Sequence, residues 1–107
     1  MPEVAHIVLL AFKQDVEPDT IEGLLEDIRR YRGIDGVNRV HTGNDVTLGG
    51  EPSLYTHGVI IEFADAGARD RYLPHPSHQA VVERLDPLLE HKLVLDIAES
   101  FRSPGVV

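Results

Sequence analysis

Cysteine and tryptophan are absent from this 107-residue sequence, and ten basic residues stand against eighteen acidic ones. The absence of cysteine excludes disulfides, thiolate catalysis, iron–sulfur clusters and zinc sites built on cysteine. A net charge of −8 argues against a nucleic-acid surface, which needs a basic stripe, and against docking on anionic membranes. The N-terminus shows no cleavable signal pattern and no apolar run approaches the ~18 residues of a membrane span, so we expect a cytoplasmic protein.

The length of the chain corresponds to one domain, because domains of about 100–150 residues are the commonest. We expect this domain to span residues 1–101 and to be followed by a flexible tail, RSPGVV, at residues 102–107. An apolar fraction of 42% is enough for a real core, but a domain this small is only moderately self-sufficient. Dimerisation is therefore an expectation from size alone.

The stretch VAHIVLLAFK at residues 4–13 predicts the first β-strand, because it is rich in β-branched and aromatic residues. Apart from His6, both of its alternating faces are apolar. A strand with one wet face alternates apolar and polar residues, so we expect this strand to be covered on both sides.

Six further elements follow in the order α-β-β-α-α-β. Apolar residues at helical spacing after Pro18, the last of them Tyr31, predict a helix that Gly33 and Gly36 end. Pro74 and Pro87 delimit two shorter helices. The other predicted segments are strands at 37–43, 54–64 and 92–101 and helices at 65–72 and 77–86. This order predicts an α+β fold, a four-stranded antiparallel sheet with helices on one face. Helices cover only one face, so the second apolar face is expected to meet the sheet of an identical subunit.

Three histidines occupy apolar patterns. His6 and His57 lie on apolar strand faces, and His78 lies in the apolar stripe of the last helix. If the helices cover those strand faces, the three rings converge between sheet and helices. Burial lowers the pKa of an imidazole, which keeps the ring neutral and able to accept a proton. Tyr72, at the end of the preceding helix, has an O–H that could hold a substrate carbonyl.

Structural roles are the alternative for each of these residues. A single inward-facing histidine is more often a core ring that hydrogen-bonds to the backbone, and a tyrosine is more often a packing residue. His75 and His78 have a spacing at which two helical ligands share a metal, but no carboxylate partner lies at a suitable spacing and HExxH is absent. We therefore expect no metal site, and Ser77 lacks the surroundings of a serine nucleophile.

Five segments together resemble the stress-responsive A/B barrel (Dabb) family. They are HIVLLAFK, GNDV, YTHGVIIEF, YLPHPSHQ and LVLDI, and the resemblance covers about residues 4 to 98. The resemblance implies a ferredoxin-like topology and a dimeric α+β barrel, in which homodimers form through sheet-to-sheet packing.

One plant branch of this family comprises polyketide cyclases of the olivetolic acid cyclase kind, which close a linear polyketide by intramolecular aldol condensation without a cofactor. The resemblance implies that His78 is the base, that Tyr72 holds the substrate, and that His6 and His57 line the pocket. The implied apolar walls are Val8, Leu10, Leu24, Leu25, Ile28, Val59 and Leu89. Leu24 and Leu25 are aliphatic where the plant enzymes carry aromatic rings, which points to a different substrate.

Three functions follow from these observations. The first is a cofactor-free enzyme of the cyclase or isomerase kind that acts on a small apolar or carbonyl-containing ligand. The second is a small-molecule binding or stress-response module without turnover; a binding pocket and an active site share apolar walls, so the sequence does not separate these two. The third is cofactor-free oxygenation or haem chemistry, as in the broader dimeric α+β barrel superfamily. The absence of tryptophan and of a basic patch for haem propionates disfavours haem.

Overall fold

The computed structural model describes residues 2–98 and contains the predicted α+β architecture. Its strands are β1 (Val4–Phe12), β2 (Val37–Asn44), β3 (His57–Phe63) and β4 (Leu89–Ala98), and its helices are α1 (Pro18–Arg29), α2 (Ala66–Tyr72) and α3 (Pro76–Leu85). Short 3-10 turns at Arg30–Gly33 and Asp86–Leu88 follow α1 and α3. All pairings in the sheet are antiparallel, in the order β2-β3-β1-β4. The predicted ferredoxin-like fold is confirmed.

The first helix begins at Pro18, as its sequence predicts, but ends at Arg29, because a 3-10 turn occupies Arg30–Gly33 before the predicted end. Pro18 occupies the first turn, where its missing N–H costs nothing. Leu24, Leu25 and Ile28 form the buried stripe that packs on the sheet. No helix in residues 2–98 is long and apolar enough to cross a membrane.

Each of the two shorter helices begins with a side-chain cap. The Asp65 carboxylate accepts a hydrogen bond from the Ala68 N–H at 2.8 Å, which caps α2. His75 Nδ1 accepts from the Ser77 N–H at 3.1 Å, and Pro76 follows in the first turn of α3. His75 therefore has a structural role at the helix N-terminus, which leaves the ring of His78 as the histidine of this motif that faces the core region.

Gly36 brings β2 close to α2. Its φ of +88° lies in the left-handed region, and a Cβ built there would lie 2.6 Å from the Cβ of Ala68. Both the backbone conformation and the close approach require glycine at this position. The second glycine predicted to end the α1 region thus also sets the distance between β2 and α2.

Two strands begin three residues away from their predicted starts. β3 begins at His57 rather than at residue 54, so the loop after β2 extends to Thr56. β4 begins at Leu89 rather than at Lys92, because Phe12 at the end of β1 pairs with Leu89 across a register shift. The predicted strand end at residue 101 and the predicted tail at 102–107 lie outside the described residues.

The two faces of the sheet differ in cover. The helix-covered face carries His6, Leu10 and Ile61, all almost fully buried. On the outer face, Ile7 and Leu9 of β1 are half-buried. The outer face also exposes a group of large apolar side chains with 38–54% of their surface accessible: Ile60, Leu93, Leu95 and Ile97. The apolar second face predicted from β1 therefore continues onto its neighbours β3 and β4.

Candidate functional site

A cavity of about 240 Å³ lies between the helix-covered face of the sheet and helices α1, α2 and α3. It is lined mainly by aliphatic side chains, with imidazoles and phenols among them. Seven of the residues singled out from the sequence line it: His6, Val8, Leu10, Ile28, Val59, Tyr72 and His78. Residues from β1, β3 and three helices thus meet at one place.

Four of the proposed pocket residues lie elsewhere. Leu24 and Leu25 are buried in the core between α1 and the sheet, and Leu89 is half-buried at the start of β4. His57 lines two open grooves near the other end of β3. These four side chains are not among those that line the cavity.

The register of the sheet explains the position of His57. His6 pairs with Ile61 of β3, whereas His57 pairs with Leu10 of β1. Four residues along a strand span about 13 Å, so His57 shares a face with His6 but not a location. The expected convergence of three histidines is therefore limited to His6 and His78.

The environment of His57 is more open than that of the cavity. Its ring packs edge-on against Phe12, with centroids 5.3 Å apart, and its Nδ1 lies 2.8 Å from the Thr56 hydroxyl oxygen. Partial burial lowers the pKa of His57, and the nearby Glu22 carboxylate partly offsets this. Glu22 also lines the groove, so this end of the face is polar.

His78 is held in a defined orientation. Its Nδ1 lies 2.8 Å from the backbone oxygen of Leu73, and because a carbonyl only accepts, Nδ1 carries the hydrogen. In the neutral ring Nε2 is then the basic atom. Burial is the largest influence on the pKa of His78 and lowers it, against the Leu73 carbonyl, which raises it. The ring packs on Tyr72, with centroids 4.4 Å apart.

His6 forms a second anchored imidazole. Its Nδ1 lies 2.6 Å from an oxygen of Asp96, directly opposite on β4, and only 6% of His6 is exposed. The other Asp96 oxygen accepts from Arg69 at 3.0 Å. A carboxylate that accepts from Nδ1–H fixes the tautomer and leaves Nε2 as the acceptor. The ring meets Tyr72 edge-on at 5.9 Å between centroids.

Two tyrosines complete the polar group at the cavity. Only 3% of Tyr72 is exposed, and its ring contacts Phe63 at 5.0 Å and Tyr31 at 5.5 Å between centroids. Burial raises the pKa of Tyr72, and the neighbouring Tyr31 raises it further. Burial also raises the pKa of Tyr31, with a smaller contribution from Asp27. Both phenols are therefore proton donors throughout the physiological pH range.

The sequence analysis missed several residues that line or support the cavity. Among them are the polar residues Tyr31, Lys92 and Asp96. Alternation along β4 carries a signal for two of them, because Lys92, Val94 and Asp96 share one face of the strand while leucines and isoleucine occupy the other. Tyr31 was assigned only to the apolar stripe of α1.

The arrangement is suited to proton transfer. It combines two imidazoles with Nδ1 anchored and two protonated phenols around an apolar cavity, which is the pairing of base and donor that enolisation of a carbonyl compound needs. Across residues 2–98, no group of three or more histidine, aspartate or glutamate side chains is placed to hold a metal ion.

Comparisons with known proteins agree with this architecture. The profile of the family described as Stress responsive A/B Barrel Domain (Dabb) matches residues 4–99. The Arabidopsis thaliana stress-response A/B barrel domain-containing protein HS1 is 30% identical over 94 residues, which cover 87% of this chain and 86% of HS1.

Two solved structures share the fold at lower sequence identity. The hydroxynitrile lyase from Passiflora edulis superposes with a TM-score of 0.85 at 18% identity, covering 96% of this chain and 98% of the lyase. A dimeric ferredoxin-like protein of unknown function from Thermobifida fusca superposes with a TM-score of 0.79 at 21% identity, covering 92% of each chain. Since the profile matches nearly the whole chain, the protein belongs to the stress-responsive A/B barrel (Dabb) family.

Proposed function

We propose that the protein is a cofactor-independent acid–base enzyme that acts on a small, largely apolar carbonyl compound. His78 is the general base and Tyr72 is the donor to the carbonyl oxygen. The observation that supports this most is the His78 ring, whose Nδ1–H is held by the Leu73 carbonyl, so that Nε2 is the basic atom of a side chain lining the cavity.

The reaction consists of a proton transfer followed by bond formation or proton return. His78 Nε2 takes a proton from the carbon next to the carbonyl, and the Tyr72 O–H stabilises the enolate oxygen. In cyclase-like closure the enolate carbon then attacks a second carbonyl of the same molecule, and the His78 imidazolium gives its proton to the alkoxide that forms. In isomerisation the enolate carbon takes back a proton from the His78 imidazolium. Neither route needs an external oxidant or reductant.

His6 is proposed to line the reacting end of the cavity together with Tyr72. Its Nδ1 is held by Asp96 of β4, and Arg69 of α2 holds Asp96, so two side chains from other elements fix the ring. Because its ring is fixed, His6 gives the cavity a defined shape and a hydrogen-bond acceptor at a defined position.

The size of the cavity supports a compact ligand. Its volume of about 240 Å³ lies below the roughly 300–1,000 Å³ of drug-sized ligand pockets. Leu24 and Leu25, proposed from the family resemblance as walls of the pocket, lie in the core and do not line this cavity. The fold is compatible with lyase chemistry, since the Passiflora edulis neighbour is a hydroxynitrile lyase.

We also propose that two copies pack through their outer faces. That face carries a contiguous exposed apolar group, whereas most surface apolar residues occur singly. An identical sheet would cover this group, which consists of Ile60, Leu93, Leu95 and Ile97. The ferredoxin-like protein from Thermobifida fusca is dimeric, which supports a homodimer but does not specify the face through which it forms. Because the cavity lies on the opposite, helix-covered face, dimerisation leaves it within each subunit.

The decisive experiment measures proton abstraction directly. The protein is incubated in deuterated water with a panel of short β-keto thioesters and β-diketones, and mass spectrometry follows deuterium uptake and product formation. We expect His78→Ala to slow exchange by about 10²–10⁴-fold, the usual contribution of a general base. Tyr72→Phe should slow it as well, whereas His91→Ala, which removes an exposed imidazole outside the cavity, should leave it unchanged.

Equal exchange by wild type and His78→Ala would remove the catalytic proposal. Stabilisation of the wild type against heat by these compounds, without exchange or product, would instead support a binding module, the second function derived from the sequence. The observation that favours this second candidate is the largely aliphatic lining of the cavity. Such a lining is enough to bind an apolar ligand, and binding alone needs no base.

A further inference from the structure

The cavity differs in charge from the chain that encloses it. The chain carries eighteen acidic and ten basic residues. Among the described residues, however, the cavity lining contains no carboxylate, and its one permanently charged side chain is the ammonium of Lys92. The remaining ionisable groups are the two imidazoles and the two phenols. In a chain with an excess of acids, a lining free of carboxylates suits a ligand that is itself anionic.

Lys92 occupies the edge of the cavity on β4. It pairs with Leu10 of β1 on the helix-covered face, two residues before Val94, which also lines the cavity. Its Nζ lies 2.9 Å from an Asp86 oxygen, in the turn that follows α3. The two side chains are 36% and 46% exposed, so this ion pair lies where the cavity opens to solvent.

The ammonium is electrostatically connected to the proposed base. Burial lowers the pKa of His78 most, and the positive charge of Lys92 lowers it further, while Asp86 raises it. The charge of Lys92 therefore reaches His78. The charged and ionisable groups near Lys92 are Asp86 beyond the end of α3, His78 on α3 and His6 on β1.

We propose that Lys92 is a specificity residue that selects ligands carrying a carboxylate on an apolar body. The ligand carboxylate takes the place of Asp86 at Nζ, while the apolar body enters the cavity. This rests on the proposed function and names its substrate class: a small carbonyl compound that is also a carboxylic acid. A solvent-exposed ion pair contributes little to stability, so exchanging Asp86 for a ligand carboxylate is inexpensive.

Selection of a carboxylate by Lys92 acts only at short range. A net charge of −8 gives an anionic ligand no long-range attraction to the protein, so the preference appears in the dissociation rate rather than in the rate of encounter. It also weakens with added salt, because Lys92 is exposed to screening.

Isothermal titration calorimetry with octanoate and its neutral counterpart octanamide tests the proposal. At pH 8, above the lowered pKa of His78, Lys92 is the lining residue with a cationic side chain that distinguishes the two ligands. We expect wild type to bind octanoate more tightly, by up to about fivefold, the ratio that an exposed ion pair of about 1 kcal/mol gives. Lys92→Met should remove the preference and retain octanamide binding. Arg84→Met, which removes a cation paired with Asp27 outside the cavity lining, should keep the preference.

Three results would overturn the inference. They are equal affinities in wild type, a preference that survives in Lys92→Met, and failure of both ligands to bind. The deuterium exchange of neutral β-diketones is read separately. Octanoate selectivity in a protein without exchange activity would remove the enzyme proposal only, whereas exchange activity without selectivity would remove the role of Lys92 only.

Discussion

Two histidines on the helix-covered side of the sheet, His57 of β3 and His78 of α3, have different surroundings. His78 lies at the end enclosed by α2 and α3, with its ring on Tyr72 and its Nδ1–H held by a backbone carbonyl. His57 lies at the other end, beside the Thr56 hydroxyl and an open groove that contains Glu22. Burial lowers the pKa of both rings. A lowered pKa alone therefore does not identify a catalytic base; the enclosure and the partners of the ring distinguish the two.

The largest expected difference between the two ends is in activity. His57→Ala should leave deuterium exchange into β-diketones close to the wild-type rate, while His78→Ala should lower it by about 10²–10⁴-fold. The rates are compared by mass spectrometry at the same pH with both variants shown to be folded by circular dichroism. A loss of similar size in His57→Ala would show that the two ends form one site.

The next largest effect is on the stability of the fold, through the packing of Gly36 against α2, the helix that carries Tyr72. Gly36→Ala should destabilise the protein by about 3 kcal/mol, since it combines a left-handed backbone with a Cβ placed 2.6 Å from Ala68 of α2. Gly33→Ala is the matched control, because nothing lies within 4 Å of its Cβ position. Urea unfolding measures both. A Gly36→Ala midpoint equal to that of Gly33→Ala would mean that α2 shifts without cost.

The smallest expected effect is on the pH dependence of stability. Since the folded pKa of His78 is lowered below that of a free imidazole, about 6.5, the unfolded chain binds this proton more readily. Stability is therefore full above pH ~6.5 and falls as the pH decreases toward the lowered pKa. Urea midpoints between pH 8 and pH 5 should decline less in His78→Gln than in wild type.

His57→Gln provides the comparison for that measurement. The pKa of His57 is shifted in the same direction, so this variant should flatten the pH profile in the same sense while retaining activity. A profile that steepens in either variant would contradict the lowered pKa at that end. Half-buried rings are screened by solvent, which is why this effect ranks last.

Element order and the two-sided first strand could be predicted from the sequence because they depend on local patterns. β-branched residues with apolar side chains on both faces define β1 whatever its neighbours are. The start of β4 was predicted three residues late, at Lys92, because it depends on pairing between Phe12 and Leu89, which are far apart in the chain. Local propensity contains no information about such a pairing.

The candidate site could be predicted in part, for the same reason. Tyr72 and His78 lie on neighbouring helices within one short segment, so their proximity is visible in the sequence YLPHPSHQ. The contact of His6 with Asp96 joins residues 90 positions apart and depends on the register between β1 and β4. Hence Asp96 was missed, although its place between apolar residues in β4 was a signal.

The sequence by itself determined the alternation of strands and helices, the apolar character of both faces of β1, and the histidine and tyrosine content of one helix junction. The tertiary structure alone decided that His6 joins Tyr72 and His78 while His57 does not, and that Lys92 lies at the edge of the cavity. The reason is geometric. Side-chain alternation assigns a residue to a face, but only the register between strands fixes its position along that face.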